Sequence, residues 1–213
     1  MSRDYEIIRR EIVHDGFFRV SRLTLRHALF GGGQSQTLVR ERLERGNAVG
    51  VLPYDPRLDR VVLVEQFRPG AIDSGFGPWL LEPVAGIIEP GEQPEEVAHR
   101  ETREEADCAL GELVSMAHYL VSPGGSSQTV KLYCAQIDSR DLRLEGHGHP
   151  GEGEDIRLHV VPADQAIAML DSGAVSAVMS IIALQWLALN RDALRDRWQA
   201  APPAPYNGPA STP

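Results

Sequence analysis

The sequence predicts an α/β fold, a mixed sheet between helices in an α/β/α sandwich, with an N-terminal antiparallel β arm in front. Three observations lead there. Residues 6–43 alternate Arg with apolar residues around Gly31-Gly32-Gly33, a hairpin signal by turn chemistry. From Asn47 onward, strand-like runs are interleaved with helical ones. Glu82–Cys108 reads as strand, Gly/Pro loop and then a carboxylate-rich helix, and the chain is organised around it.

In chain order, Glu6–Val13 is a strand, His14-Asp15-Gly16 a turn, and Phe18–Phe30 and Gln36–Leu43 the two sides of the glycine hairpin. A lone hairpin is barely stable in water, so this arm, residues 1–45, must lie on something: its own domain or a second copy of the chain. Asn47–Pro53 and Val61–Gln66 are strands around the turn Tyr54–Asp59. Gly70–Pro78 is a loop, and Trp79–Val84 a short strand feeding the central stretch. After the central helix come strands Leu113–Val121 and Thr129–Ile137, separated by Ser122-Pro123-Gly124-Gly125. Asp138–Gly153 is a long polar loop, Ile156–Val161 a strand, Pro162–Leu170 a helix closed near Gly173, and roughly Val175–Trp198 a second long helix. The main domain therefore covers 46–200, and the Pro/Ala-rich residues 201–213 form a disordered tail.

Composition narrows the class. At 213 residues and 23.4 kDa the chain can bury one good core. A net charge of −9 argues against nucleic acid as a partner. Two cysteines are too few for a disulfide framework and suit reduced thiols. The first residues, MSRDYEIIRREIV, carry no signal-peptide hydrophobic region, and the apolar run within Ala174–Leu189 is too short and polar to span a bilayer. A cytoplasmic protein without membrane association is expected.

The chemistry lies in the central helix. Pro94 suits its first turn, and Glu95 and Glu96 complement the helix dipole. Glu101 and Glu105 stand four apart and project from one face, with Val97 a turn earlier and Ala98 and Thr102 alongside. The two glutamates thus border the buried side. Arg100 and Glu104 are also four apart and can pair. Hard divalent cations want such oxygen clusters, and Mg²⁺ takes one or two carboxylates plus phosphate and water. The alternative is a solvated helix with exposed ion pairs.

Gly86, Glu92, Arg100, Glu101, Glu104 and Glu105 fall at the spacing G-x5-E-x7-R-E-x-x-E-E, which resembles the Nudix box. At roughly 6% usage per residue type, such a match arises by chance in ~1 of 10⁵ chains of this length. Asp107 stands where that family usually has Gly, and Thr102 where it prefers an apolar residue. The likeness extends to the bacterial ADP-ribose pyrophosphatases through Arg45-Gly46, Glu65–Arg68, Leu81–Gly86, Ser122–Gly125, Glu152–Ile156 and Ile182–Trp186.

That resemblance implies a fold of the Nudix type. It also implies Mg²⁺-dependent hydrolysis of the pyrophosphate of ADP-ribose, or of another nucleotide sugar such as GDP-mannose or ADP-glucose, and leaves open whether Mn²⁺ replaces Mg²⁺. The roles of individual residues come from the same resemblance. Glu101, Glu105 and the backbone carbonyl of Ala85 hold metal, with Glu154 a further ligand. Glu104 either joins the cluster or only pairs with Arg100, and Glu92 supports the loop. Glu152, in an acidic loop flanked by Gly146, Gly148, Gly151 and Gly153, is the general base. Arg68 contacts phosphate or the partner subunit, and Glu82 lies near the substrate. Arg40 reaches the adenine across a homodimer formed by the arms, and Phe17 or Phe18 either stacks on the base or, as an aromatic pair beside a turn, belongs to the core. Ser122 and Gly124 approach the terminal ribose, and Gln128 stands where many ADP-ribose enzymes have Glu. His147 and His149 read as exposed loop histidines, and Cys134 as inert. A different class, a silent Nudix domain that senses ADP-ribose, is opposed by the complete set of box carboxylates.

Overall fold

The structure, a computed structural model, describes residues 3–140, 142–148, 151 and 153–199. The tail at 201–213, and with it Glu152 and His149, lies outside the described residues. The chain divides into two compact units, one of the described residues up to Asn47 with Tyr119–Thr129, the other of Ala48–His118 with the described residues from Val130.

The first unit holds three antiparallel strands in sequence order: β1 (Tyr5–Asp15), β2 (Arg19–His27) and β3 (Leu38–Glu44). β2 is central, and its alternation turns Ser21 and Leu23 inward, where both are buried. The Ser21 hydroxyl donates to Glu44 at 2.6 Å, and Arg42 pairs with the same oxygen. β1 is an edge strand with Tyr5, Ile8, Ile12 and Val13 exposed, and bulges after Ile7 and Ile12 break its register. Two backbone hydrogen bonds tie Leu43 of β3 to the Ser122–Ser127 turn, at 2.8 Å to the Gly125 carbonyl and 3.0 Å from the Ser127 N–H. A segment about 80 residues downstream thereby becomes part of the arm's own unit.

The second unit is built on a mixed sheet. Its strands are β4 (Asn47–Asp55), β5 (Arg60–Phe67), β6 (Trp79–Glu82), β7 (Val84–Ile88), β8 (Leu113–Leu120), β9 (Thr129–Gln136) and β10 (Arg157–Pro162). The main path runs β10-β5-β4-β9-β8, with β6 on β5 and β7 on β4. β4 and β9 are parallel, whereas β5 is antiparallel to β4, β6 and β10.

Both faces are covered, which is why β4 and β5 read as nearly continuous apolar runs. On one face Val49, Val51, Val62 and Val64 share a cluster with Val97, Ala98 and Ala106 of helix α1 (Pro94–Ala106). Full burial of each such valine contributes about 1.5–3 kcal/mol. The alternate residues face α2 (Ala163–Ser172) and α3 (Val178–Gln199). Met179 of α3 lies over Gly50, where a Cβ would stand 2.4 Å from its sulfur. The Trp198 ring meets Tyr54 with centroids 6.4 Å apart. This is the expected α/β/α layering. Among the described residues no helix is long and apolar enough to cross a membrane.

Helix α1 begins and ends as its sequence dictates. Pro94 occupies the first turn, and Glu96 accepts a long hydrogen bond, 3.4 Å, from the Gln93 N–H. At the other end Asp107 adopts φ 47° and ψ 37°, the left-handed conformation for which glycine is usual. Its N–H reaches the Arg103 carbonyl at 3.1 Å, so the cap forms without glycine. Thr102 is fully buried, as its small size allows.

Candidate active site

The α1 face that packs on the sheet also carries two carboxylates, because positions 97, 101 and 105 share one ridge. Glu105 is 4% exposed. One of its oxygens accepts a hydrogen bond from the Ala85 N–H at 3.3 Å. Glu101, one turn back, lies flat on Gly86, where a Cβ would come within 2.0 Å of its Oε1. Only glycine leaves room for it there, which gives the glycine of the motif a steric cause. The two acids therefore flank the Ala85-Gly86 backbone at the start of β7.

Electrostatics at this pair are unfavourable in the metal-free protein. Burial pushes Glu105 up to about 8, and the neighbouring charges of Glu101 and Glu154 add to the rise. The Ala85 N–H and Arg68 oppose it. Burial likewise pushes Glu101 up to about 7, with Glu104 and Glu154 adding and Arg100 opposing. Arg100 pairs with Glu101 at 2.8 Å, Glu104 at 3.4 Å and Glu92 at 3.6 Å. Glu104 therefore stands on the solvent side of the ridge, beside Arg100. Glu92 accepts from the Glu89 N–H at 2.9 Å and closes the loop before the helix.

Two further strands complete the cluster. Arg68, just past β5, donates through Nε to Glu82 at 2.6 Å, and Glu82 is 8% exposed. Glu154 accepts a 3.0 Å hydrogen bond from the Gln66 side chain on β5. The structure thus brings Arg68, Glu82, Ala85, Glu101, Glu105 and Glu154 together in the second unit. Arg40, Ser122, Gly124 and Gln128 belong to the first unit, with Gln128 buried and the other three exposed.

The carboxylates are not preset as a cage: among the described residues no three His, Cys, Asp or Glu side chains already stand in ligating positions. Each leans on a protein donor instead, Glu101 on Arg100, Glu105 on Ala85 and Glu154 on Gln66. The donor set nevertheless fits a hard divalent cation. It is made of oxygens, and two of its acids, Glu105 buried and Glu101 half-buried, have too little positive charge beside them to match their own. The raised titration points express that deficit.

Three features differ from sequence expectation or escape it. His147 is 6% exposed, not an open loop residue, and its Nε2 meets the Arg143 carbonyl at 2.6 Å. An antiparallel bridge pairs His147 with Ile156. A cavity of about 500 Å³ opens at the foot of the acidic loop between Glu65, Trp79, Asp155 and Arg157. Glu65 and Gln66 are adjacent on a strand, so this cavity and the carboxylate cluster lie on opposite faces of β5. Gln66 is invisible in the sequence as a site residue. Beyond its place in the Glu65–Arg68 stretch, its signal is an amide placed where the row Val62, Val64 calls for an apolar side chain.

In the first unit, Phe17 is 93% exposed and packs edge-on against Phe18, with the Arg45 guanidinium 5.5 Å from the Phe18 ring centre.

Comparison with known proteins places this geometry. Residues 44–179 match the model of the NUDIX domain. The chain is 44% identical over 196 residues to an ADP-ribose pyrophosphatase of Escherichia coli strain K12, covering 92% of this chain and 93% of that protein. It is 40% identical over 200 residues to an ADP-ribose pyrophosphatase of Haemophilus influenzae, with 92% of each chain covered. A GDP-mannose pyrophosphatase of an Enterobacter species is 29% identical over 191 residues, covering 89% of this chain and 98% of its own.

Proposed function

The chain belongs to the NUDIX family, and from that premise we propose that it hydrolyses the pyrophosphate of ADP-ribose to AMP and ribose 5-phosphate, using Mg²⁺ or Mn²⁺. The observation that carries the reading is buried Glu105 and half-buried Glu101 laid together against Ala85-Gly86, a costly arrangement of like charges that a bound cation would relieve. The similarity to ADP-ribose pyrophosphatases over most of both chains supports the choice of substrate.

In this reading Glu101, Glu105, Glu154 and the Ala85 carbonyl hold the metal. A bound divalent cation supplies the positive charge that a diphosphate needs as its bridging bond breaks. Arg68, held straight by Glu82, orients a phosphate oxygen. Glu152 accepts the proton of the attacking water at its carboxylate. The water oxygen bonds to phosphorus, the bridging P–O bond breaks, and the leaving phosphate carries away the electron pair. Arg40 contacts the adenine, while Ser122, Gly124 and Gln128 contact the terminal sugar.

The N-terminal arm, residues 1–45, pairs two copies into a homodimer around the main domain at 46–200, and the free, buried thiols of Cys108 and Cys134 suit a cytoplasmic protein. Gln128 favours a second reading. Uncharged where many ADP-ribose enzymes carry Glu, it relaxes the choice of sugar toward other nucleotide sugars. A substrate panel with identified products decides between them. AMP plus ribose 5-phosphate formed fastest from ADP-ribose supports the first reading, and a faster reaction with GDP-mannose or ADP-glucose replaces it.

A further inference from the structure

Gln66 stands out among the polar groups the mechanism leaves unused. It is 7% exposed and extends the core-facing row of β5 by one position beyond Val62 and Val64. Its Nε2 donates to Glu154 Oε1 at 3.0 Å. A carboxylate only accepts, so the amide nitrogen must face Glu154 and the amide oxygen must face elsewhere. That oxygen, Oε1, is buried without a hydrogen-bond partner. Leaving a buried acceptor unmade is costly, and a valine or leucine there would avoid that cost altogether. An amide kept at such a position is explained by a donor that arrives with ligand.

We propose that Gln66 is a positioning residue of the site: it pins Glu154 beside Glu101 and Glu105, and its free Oε1 receives a hydrogen bond from a water ordered there when the cation binds. The inference rests on the metal-site reading above. The Gln66–Glu154 bond links the acidic loop to the rigid sheet at this point. Glu154 follows Gly153, whose φ of 71° marks a turn in the chain. β5 is tied into the sheet by β10 and, at this end, by β6. Gln66 therefore converts a loop carboxylate into one with a defined place. Its action runs through Glu154 and the site water, not through the diphosphate.

The test uses Gln66→Met, which keeps the length and shape of the side chain and removes both hydrogen-bonding groups, with Gln66→Leu as a second variant should the first fold poorly. Mn²⁺ is titrated calorimetrically into the full-length protein without substrate, and turnover of ADP-ribose is measured separately. Loss of an outer hydrogen bond to a ligand should weaken Mn²⁺ binding by about 10–100-fold. kcat should fall by a similar factor while KM changes much less. In a Glu154→Ala background the Gln66→Met change should weaken Mn²⁺ binding less than it does in the wild type, because the part that acts through Glu154 is already lost. Wild-type Mn²⁺ affinity in Gln66→Met, or full additivity with Glu154→Ala, overturns the proposal and leaves the function standing. A wild-type protein that binds no Mn²⁺ at all overturns both.

Discussion

Replacing Glu105 by Gln should stabilise the metal-free protein and abolish its activity. The carboxyl titrates near 8 in the folded protein against an ordinary value of 4.5. Because the folded value is raised, folding is favoured fully only below about pH 4.5. That contribution is lost as pH climbs toward 8, where the unfolded chain is ionised and the folded one resists it. By linkage the deficit at pH 8 is on the order of 4 kcal/mol. The amide of a Gln at this position keeps the acceptor for the Ala85 N–H and offers Glu101 a donor. Most of the deficit should therefore be recovered, which for a chain of this size means a rise in Tm of roughly 5–15 °C. The gain should shrink as pH falls toward 5. Thermal melts in a chelator across pH 5–8.5, wild type beside variant, read it directly. Added Mg²⁺ should raise the wild-type Tm most at high pH and the variant's hardly at all. Turnover should drop by at least about 10²–10³-fold, as for loss of one preorganised electrostatic contact. A variant that melts lower than wild type at pH 8, or that retains near wild-type turnover, would refute the reasoning.

Four further outcomes are expected. Gly86→Ala should displace Glu101, since the new methyl would fall 2.0 Å from its Oε1, and steady-state assays should show activity lost with a modest cost of about 1–3 kcal/mol in stability. Glu152→Gln should lower kcat by about 10²–10⁴ with little change in KM, and an equal loss of kcat from Glu154→Gln alone would move the base role to Glu154. Asp107→Gly should raise Tm by a few degrees, because about 1 kcal/mol of left-handed strain is relieved at the end of α1; a lower Tm would mean that the Asp side chain supports the cap. Deleting residues 1–45 should weaken dimerisation, and light scattering that still finds a dimer would contradict the arm's role.

Some of these residues could be placed from sequence alone because their constraint is local. Helical periodicity set Glu101 and Glu105 on one ridge with Val97. Pro94, Glu95 and Glu96 announced the start of the helix, and Asp107 sits where its backbone demanded a left-handed residue. Alternation likewise exposed the hairpin of β2 and β3, and the six spaced residues of the box pointed to the family and its metal-dependent chemistry. The spacing even marked Gly86, though not why it is glycine.

What only the tertiary structure decided depends on residues that meet from far apart in the chain. That Glu101 lies on Gly86, that Arg68 is braced by Glu82, and that His147 folds inward all come from separate elements being brought together. Periodicity carries no information about which strand neighbours which. For the same reason nothing in the sequence tied Leu43 to the Ser122–Ser127 turn, or Gln66 to a carboxylate 88 residues away. The burial of Glu105 is the sharpest case. A helix read by itself shows a glutamate on the edge of an apolar stripe. Only the sheet packed over it removes the water and raises its proton affinity.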